Sequence, residues 1–166
     1  MRSKYHAKPI CVLIAAAMSL TLTGCGGSGA DKLTVRLNGT VVTKPITAEK
    51  LGDGYSVGNY ILRYNGEPAA GVTFTEKTTE LENENKREIR SLVIGANSGA
   101  ENDTLSVDGI TLGSDMSEVI DTFGEPSAKE EKMWFYREKG KPEDENFLGI
   151  RFDDNEKVTW LYVRVE

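Results

Sequence analysis

The chain has 166 residues, 20 of them Lys or Arg and 26 Asp or Glu, for a formal charge of −6, with two cysteines and one histidine. Its acidity sets it against nucleic-acid phosphates, so no nucleic-acid partner is expected. A chain of this length buries roughly two-thirds of its unfolded surface and needs neither disulfide nor metal to hold a core.

Residues 1–8 carry Arg2, Lys4 and Lys8 and no acid, and Ile10 to Leu22 form an apolar stretch of 13 residues. That is shorter than the ~20 residues of a membrane span and suits the core of a secretory signal. The stretch ends in Leu22-Thr23-Gly24-Cys25, which resembles the lipobox of bacterial lipoproteins. The resemblance implies cleavage after Gly24 and acylation of the Cys25 thiol. Several acyl chains on one residue, palmitate among them, anchor a protein firmly to a membrane. Gly26-Gly27-Ser28-Gly29 then reads as a flexible tether. Gly26, and not Asp, follows the cysteine, so the expected place is extracytoplasmic, at the outer membrane where a cell has two. His6 and Cys11 both lie in the leader. The remainder has no histidine and one acylated thiol, which excludes Ser-His-Asp and Cys-His catalysis and an ordinary zinc site. No enzyme activity, cofactor or metal is expected.

In the body of the chain, Leu33 to Leu37 alternates apolar and polar residues, Asn38-Gly39 follows, and Thr40 to Thr43 forms a second run. An Asn-Gly pair between such runs predicts a hairpin. Pro45 stops the second strand, and Thr47 to Leu51 predicts one helical turn closed by Gly52-Asp53-Gly54. Strands are predicted over Asn59–Tyr64, Ala70–Lys77 and Glu88–Ile94, with a turn at Asn65-Gly66. The charged run Thr78 to Arg87 reads as an exposed hairpin tip or loop. Gly95 to Asp103, rich in Gly, Asn and Ser, separates two halves.

The second half opens with a helix over Asp115–Phe123. Asp115 caps it with Glu118 three residues on, and Met116, Val119, Ile120 and Phe123 recur at helical spacing on one face. Gly124 and Pro126 stop it. Three strands follow, over Met133–Arg137, Phe147–Phe152 and Lys157–Val165, with a polar loop at Gly140–Asn146 and a tight turn at Asp153–Glu156. A helix followed by an antiparallel meander predicts an α+β fold with the helix covering one sheet face. The acids at 153, 154 and 156, and at 101 and 103, lack the spacing and central glycine of a calcium loop and read as polar turns.

The pattern Gly113-x-x-x-x-x-Val119-x-x-x-Phe123-Gly124-x-Pro126, then Trp134-x-Tyr136, Gly149-x-x-Phe152-Asp153 and Val158, resembles the BamE/SmpA lipoproteins and the β-lactamase inhibitor protein. The resemblance covers Asp108 to Val165. It implies a short helix laid on an antiparallel sheet and a non-catalytic role in protein binding. In the inhibitor such units stand in tandem. Residues 45–54 and the strands after them take the place of a divergent first copy, though without the Phe-Gly-x-Pro stop. The expected organisation is a leader over 1–24, a lipidated Cys25 and tether through 31, a β-rich unit over 32–98, a linker over 99–106 and a BamE/SmpA-like unit over 107–166.

Strict alternation puts Leu161, Val163 and Val165 on one face of the last strand and Trp160, Tyr162 and Arg164 on the other. In the strand before it, Leu148, Ile150 and Phe152 form the core set, and Phe147 and Arg151 oppose them. Trp134 and Tyr136 share a face of their own strand. Aromatics and arginines dominate protein interfaces, so Trp134, Tyr136, Arg151, Trp160, Tyr162 and Arg164 are candidates for a partner-binding surface. The same residue types also build buried cores, and the sequence leaves open a packing of these aromatics between the two halves. The expected function is a membrane-anchored envelope lipoprotein that binds a protein of the envelope or a secreted one. Two alternatives are inhibition of a secreted or envelope enzyme, and capture of a glycan or peptidoglycan fragment on Trp160 and Tyr162.

Overall fold

The structure is a computed structural model that describes residues 33–75, 83–137 and 147–165. The leader, Cys25 and its tether lie outside the described residues. So do residues 76–82, the end of the strand expected over Ala70–Lys77 and the start of the charged run, and residues 138–146, which take in the whole polar loop Gly140–Asn146.

The chain is mixed α+β and built on a large antiparallel sheet. It opens with β1 (Val35–Leu37) and β2 (Thr40–Val41), joined by Asn38 and Gly39, both at positive φ, as the Asn-Gly pair demands. Helix α1 (Ala48–Leu51) is one turn, capped by the Thr47 hydroxyl, which accepts from the Lys50 N–H at 3.1 Å. The meander β3 (Tyr55–Gly58), β4 (Ile61–Tyr64), β5 (Glu67–Phe74) and β6 (Ile89–Gly95) follows, with a 3-10 turn at Glu84–Lys86. The chain then makes β7 (Leu105–Val107) and α2 (Met116–Phe123). A second meander, β8 (Ala128–Glu130), β9 (Met133–Tyr136), β10 (Leu148–Phe152) and β11 (Val158–Arg164), closes it.

Two sheets result. Strands β2-β1-β7 form the smaller, and β3-β4-β5-β6-β11-β10-β9-β8 form an unbroken eight-stranded sheet. The two meanders, the first and second wings, meet at a seam between their last strands, where Tyr162 pairs with Val93 and Trp160 with Gly95. Each wing contains a register shift at a matching place. In one it lies between Thr73 and Phe74, in the other between Arg151 and Phe152.

One face of the large sheet carries the core. Leu62, Ala70, Val72, Leu92, Ile94, Leu148, Ile150, Leu161 and Val163 cluster there with Ala48 and Val119 of the helices and with Val35, Leu37, Leu105 and Val107 of the small sheet. Burial of such apolar area, at about 25 cal/mol per Å², is the main force holding the layers together. Leu161, Val163, Val165, Leu148, Ile150 and Phe152 are all buried as their alternation predicts.

Several details depart from expectation. Strands β3, β7 and β8 were not predicted. Asn59 and Tyr60, expected to open a strand, form a two-residue turn with φ of 54° and 61°. In α2, Val119 is buried and Met116 and Phe123 are half-buried, but Ile120 is 36% exposed, because the helix rests on the core by a narrower stripe than its spacing suggested. The Asp115 N–H does donate to Glu118 Oε2 at 2.9 Å. Phe147, expected opposite the core set, is buried within it. In the segment expected as a linker, Ala100 is buried and Leu105 opens β7.

Candidate binding face

The face turned away from the helices is built by register. Residues paired across neighbouring strands point the same way, and one such row runs through Gly58, Ile61, Gly71, Val93, Tyr162, Gly149, Phe135 and Ala128. The next row at the seam runs through Gly95, Trp160, Arg151, Met133 and Glu130. Arg164 stands opposite Ser91, which pairs with Thr73. None of these residues belongs to the core cluster.

Four of the six candidates, Arg151, Trp160, Tyr162 and Arg164, share this face and are partly exposed. The Trp160 and Tyr162 rings lie within 9° of parallel, with centroids 6.1 Å apart. The Arg151 guanidinium sits 5.8 Å from the Trp160 ring centre, within cation–π range. Gly149 makes room for this arrangement. A Cβ there would lie 3.0 Å from Trp160 Cζ3 and 3.6 Å from Phe135 Cδ1. Beside the rings an open groove of about 620 Å3 is lined by Glu130, Glu131, Lys132, Met133, Phe135, Arg151 and Phe152.

Trp134 and Tyr136 are not part of this face. Their register partners are Ile150 and Leu148, both core residues, and each is only 5% exposed. Trp134 packs edge-on against Phe152 at 4.7 Å, with the Lys129 ammonium 4.5 Å from its ring centre. Tyr136 packs against Phe123 of α2, and its hydroxyl donates to the Gly124 carbonyl at 3.1 Å. Burial first, and the nearby Glu125 carboxylate second, push that hydroxyl well above the ordinary tyrosine range. The Met-Trp-Phe-Tyr run is apolar at every position, so no alternation marks its inward face. Met133 and Phe135 take the outward places instead.

The first wing presents a different surface. Over Gly71 lies the backbone of the connection after β6: a Cβ on Gly71 would meet the Ser98 carbonyl oxygen at 2.7 Å. Gly99 sits on Ile61, whose Cδ1 lies 2.6 Å from where its Cβ would be. Ser98 pins this connection: its hydroxyl lies 2.7 Å from both the Gly95 and the Ala100 carbonyl oxygens, with one proton to share between them, and accepts from the Ala100 N–H at 3.1 Å. The chain thus covers part of its own open face on one wing. On the other, the described residues leave the rings uncovered.

The turn beneath the seam is set by Asp153, whose Oδ1 accepts from the Asn155 and Lys157 N–H groups at 2.9 Å. The Lys157 N–H and the other donors hold its carboxyl below the usual range. Lys157 in turn pairs with Asp115 at the start of α2 at 2.7 Å, which raises its ammonium pKa. These contacts tie the turn to the start of α2. Among the described residues no group of three or more His, Cys, Asp or Glu is placed to hold a metal ion, and no helix is long and apolar enough to cross a membrane.

No protein-family model matches the chain, and neither do curated proteins or solved structures.

Proposed function

We propose that the chain is a lipid-anchored protein of the cell envelope that holds another protein on the open face of its second wing and catalyses nothing. The observation that carries this reading is the cluster of Arg151, Trp160, Tyr162, Phe135 and Met133 on a sheet face that the described residues leave uncovered, kept apart from the core. Large aromatics and arginine supply most of the energy of protein interfaces, and a monomeric sheet has no structural need of them on its outer side.

The anchor in this reading is Cys25, acylated after removal of residues 1–24. The fold in this reading is two copies of one unit of the BamE/SmpA and β-lactamase-inhibitor type. Matching details support the two copies. Asn38-Gly39 after β1 corresponds to Asp108-Gly109 after β7, all four at positive φ. The Asn38 N–H donates to the Thr104 carbonyl, and the Asp108 N–H donates to the Thr34 carbonyl. Ile89 donates to the Ile46 carbonyl just before α1, as Val158 donates to the Ser114 carbonyl just before α2.

The test is a photoreactive residue in place of Tyr162, irradiated in cells that make the full chain. A covalent adduct with one envelope or secreted protein is the expected result, and cross-linking to no protein overturns the reading. Where that protein is an enzyme, its activity on the full-length chain separates an inhibitor from a scaffold. Intact mass of the native protein tests the anchor: a first residue other than an acylated Cys25 overturns it. The near-parallel Trp160 and Tyr162 rings also favour a second reading, stacking of a glycan, for which a glycan array bound by the chain and lost in Trp160→Ala is the outcome to look for.

A further inference from the structure

Resting on the reading of the open face as a protein-binding surface, we infer that the protein it takes is a second copy of this chain. Two second wings pack face to face about a two-fold axis that runs along β9, so that Arg151 of each copy meets Glu130 of the other.

The first observation is the pattern of charge. Register sets Arg151 of β10, Met133 of β9 and Glu130 of β8 in one row. Neighbouring strands lie about 4.8 Å apart, so the cation and the carboxylate stand about 5 Å to either side of Met133. Among the described residues neither Arg151 nor Glu130 has an ion-pair partner. The other charges of the groove agree with this division. Glu131 follows Glu130 in the turn to β9, on the same side of the axis, and adds to its negative field. Lys132 is already paired with Asp154. A face with opposite signs on the two sides of its middle strand selects neither an acidic nor a basic partner. It fits its own copy, because a half-turn along β9 lays the positive side on the negative side twice over. The charges also choose the axis. A half-turn along β10 would set Arg151 on Arg151, and one along β8 would set Glu130 on Glu130.

The second observation is shape. Met133 and Phe135 are the outward residues of β9, so they meet their own copies on the axis and form an apolar centre between the two ion pairs. The Trp160 ring lies over Gly149, its Cζ3 3.0 Å from where a Cβ would be. Gly149, Phe135 and Ala128 form the next row. The same rotation therefore brings the bulk of this ring over Ala128 of the partner subunit, where a methyl group leaves room for it. Sheets facing each other pack about 10 Å apart, a gap that an arginine and a glutamate reaching from opposite sides close.

The overlap is about 14 Å across three strands and about 16 Å along them, small for a protein contact. The pairing is therefore reversible and sensitive to its two ion pairs. Two copies of formal charge −6 repel at a distance, and physiological salt screens that repulsion beyond about 8 Å.

The experiment uses cells that make two forms of the full chain with different epitope tags, each with a photoreactive residue in place of Met133. Irradiation should give a two-chain adduct that carries both tags. Its yield should fall at least tenfold when both forms carry Arg151→Glu, which sets carboxylate against carboxylate, and likewise when both carry Glu130→Arg. With Arg151→Glu on one form and Glu130→Arg on the other, both pairs are again of opposite sign, and the adduct with both tags should return. Arg63→Glu on the first wing should change nothing. Recovery in the mixed pair also shows that both variants fold, and urea unfolding of each purified chain checks it separately. No two-chain adduct from the native forms, or no recovery in the mixed pair of folded variants, overturns the inference. An adduct from Met133 or Tyr162 with a different protein only sinks the second copy and leaves protein binding standing. No adduct from either position sinks both.

Discussion

Counted by strand register outward from the Val93–Tyr162 pair, positions on one wing have counterparts on the other, and the two wings differ in an ordered way. On the core side, Leu62, Ala70, Val72, Leu92 and Ile94 fall on Tyr136, Leu148, Ile150, Leu161 and Val163, and all ten are buried. On the open side, Ser91, Val93, Gly95, Thr73 and Ile61 fall on Trp160, Tyr162, Arg164, Arg151 and Phe135. In these five pairs each first-wing residue is small or aliphatic, and each counterpart is aromatic or arginine. Close packing keeps the inner positions apolar in both wings. No such constraint holds the outer positions, and large interface-type side chains stand there on one wing only. The proposed binding surface rests on this difference as well as on exposure.

The largest test of this comparison strikes the seam that makes the two wings one sheet. Gly95 has φ of 97°, and a Cβ there would lie 2.2 Å from the Thr159 carbonyl oxygen and 2.8 Å from Trp160 Cα. Gly95→Ala combines left-handed strain with a backbone clash and should cost about 3 kcal/mol or more, read from denaturant unfolding. A change below about 1 kcal/mol would mean the wings can part at the seam without loss.

The two buried glycines at matching places, Gly71 and Gly149, separate the wings next. Gly71→Ala meets the Ser98 backbone at 2.7 Å and the Val93 side chain at 2.8 Å, so the pinned connection must move, at about 2 kcal/mol. Gly149→Ala is tight only against the Trp160 ring edge at 3.0 Å, which can swing by a few tenths of an ångström, and meets Phe135 at an ordinary 3.6 Å, at less than about 1 kcal/mol. The prediction is therefore an order: Gly71→Ala the more damaging to stability, Gly149→Ala the more damaging to partner binding. The reverse order would place the working surface on the first wing.

Tyr136 tests the core side. Its counterpart Leu62 fills similar space without a hydroxyl, so Tyr136→Phe loses only the bond to the Gly124 carbonyl, about 1 kcal/mol. The pH dependence has a definite sign. The folded pKa of Tyr136 lies above the unfolded value of about 10, so its contribution is whole below about pH 10 and is lost as pH rises through the raised value. Lys157, raised by its bond to Asp115, adds an alkaline loss of the same sign. Urea midpoints between pH 8 and 11 should fall for the native chain and fall less steeply for Tyr136→Phe.

Much of the fold was legible because its signals were local. Asn38-Gly39 marked the first hairpin, Thr47 and Asp115 marked the starts of both helices, and the alternation in Val158–Val165 sorted its two faces. What stayed hidden needed partners from elsewhere in the chain. The turn at Asn59-Tyr60 puts a tyrosine where glycine is the usual marker, so β3 and β4 could not be told apart. Strands β7 and β8, three residues each, owe their existence to β1 and β9. The site divided in the same way. Arg151, Trp160, Tyr162 and Arg164 were readable from alternation within their strands. The inward turn of Trp134 and Tyr136 is decided by pairing with Ile150 and Leu148, which an all-apolar run cannot reveal.

The smallest expected change in stability carries the sharpest reading of function. Replacing Trp160 and Tyr162 by their first-wing counterparts, Trp160→Ser with Tyr162→Val, removes two rings that touch each other, Arg151 and Gly149 but stand outside the core cluster. Ring stacking and partial burial are worth about 1 kcal/mol in total here, so the melting transition should move by only a few degrees. If the rings serve a partner, the same pair of changes abolishes the Tyr162-adjacent cross-link, placed now at Phe135, while circular dichroism stays native. If the rings instead brace the sheet, the swap costs several kcal/mol and the wings' outer faces differ for reasons of packing, as their inner faces agree.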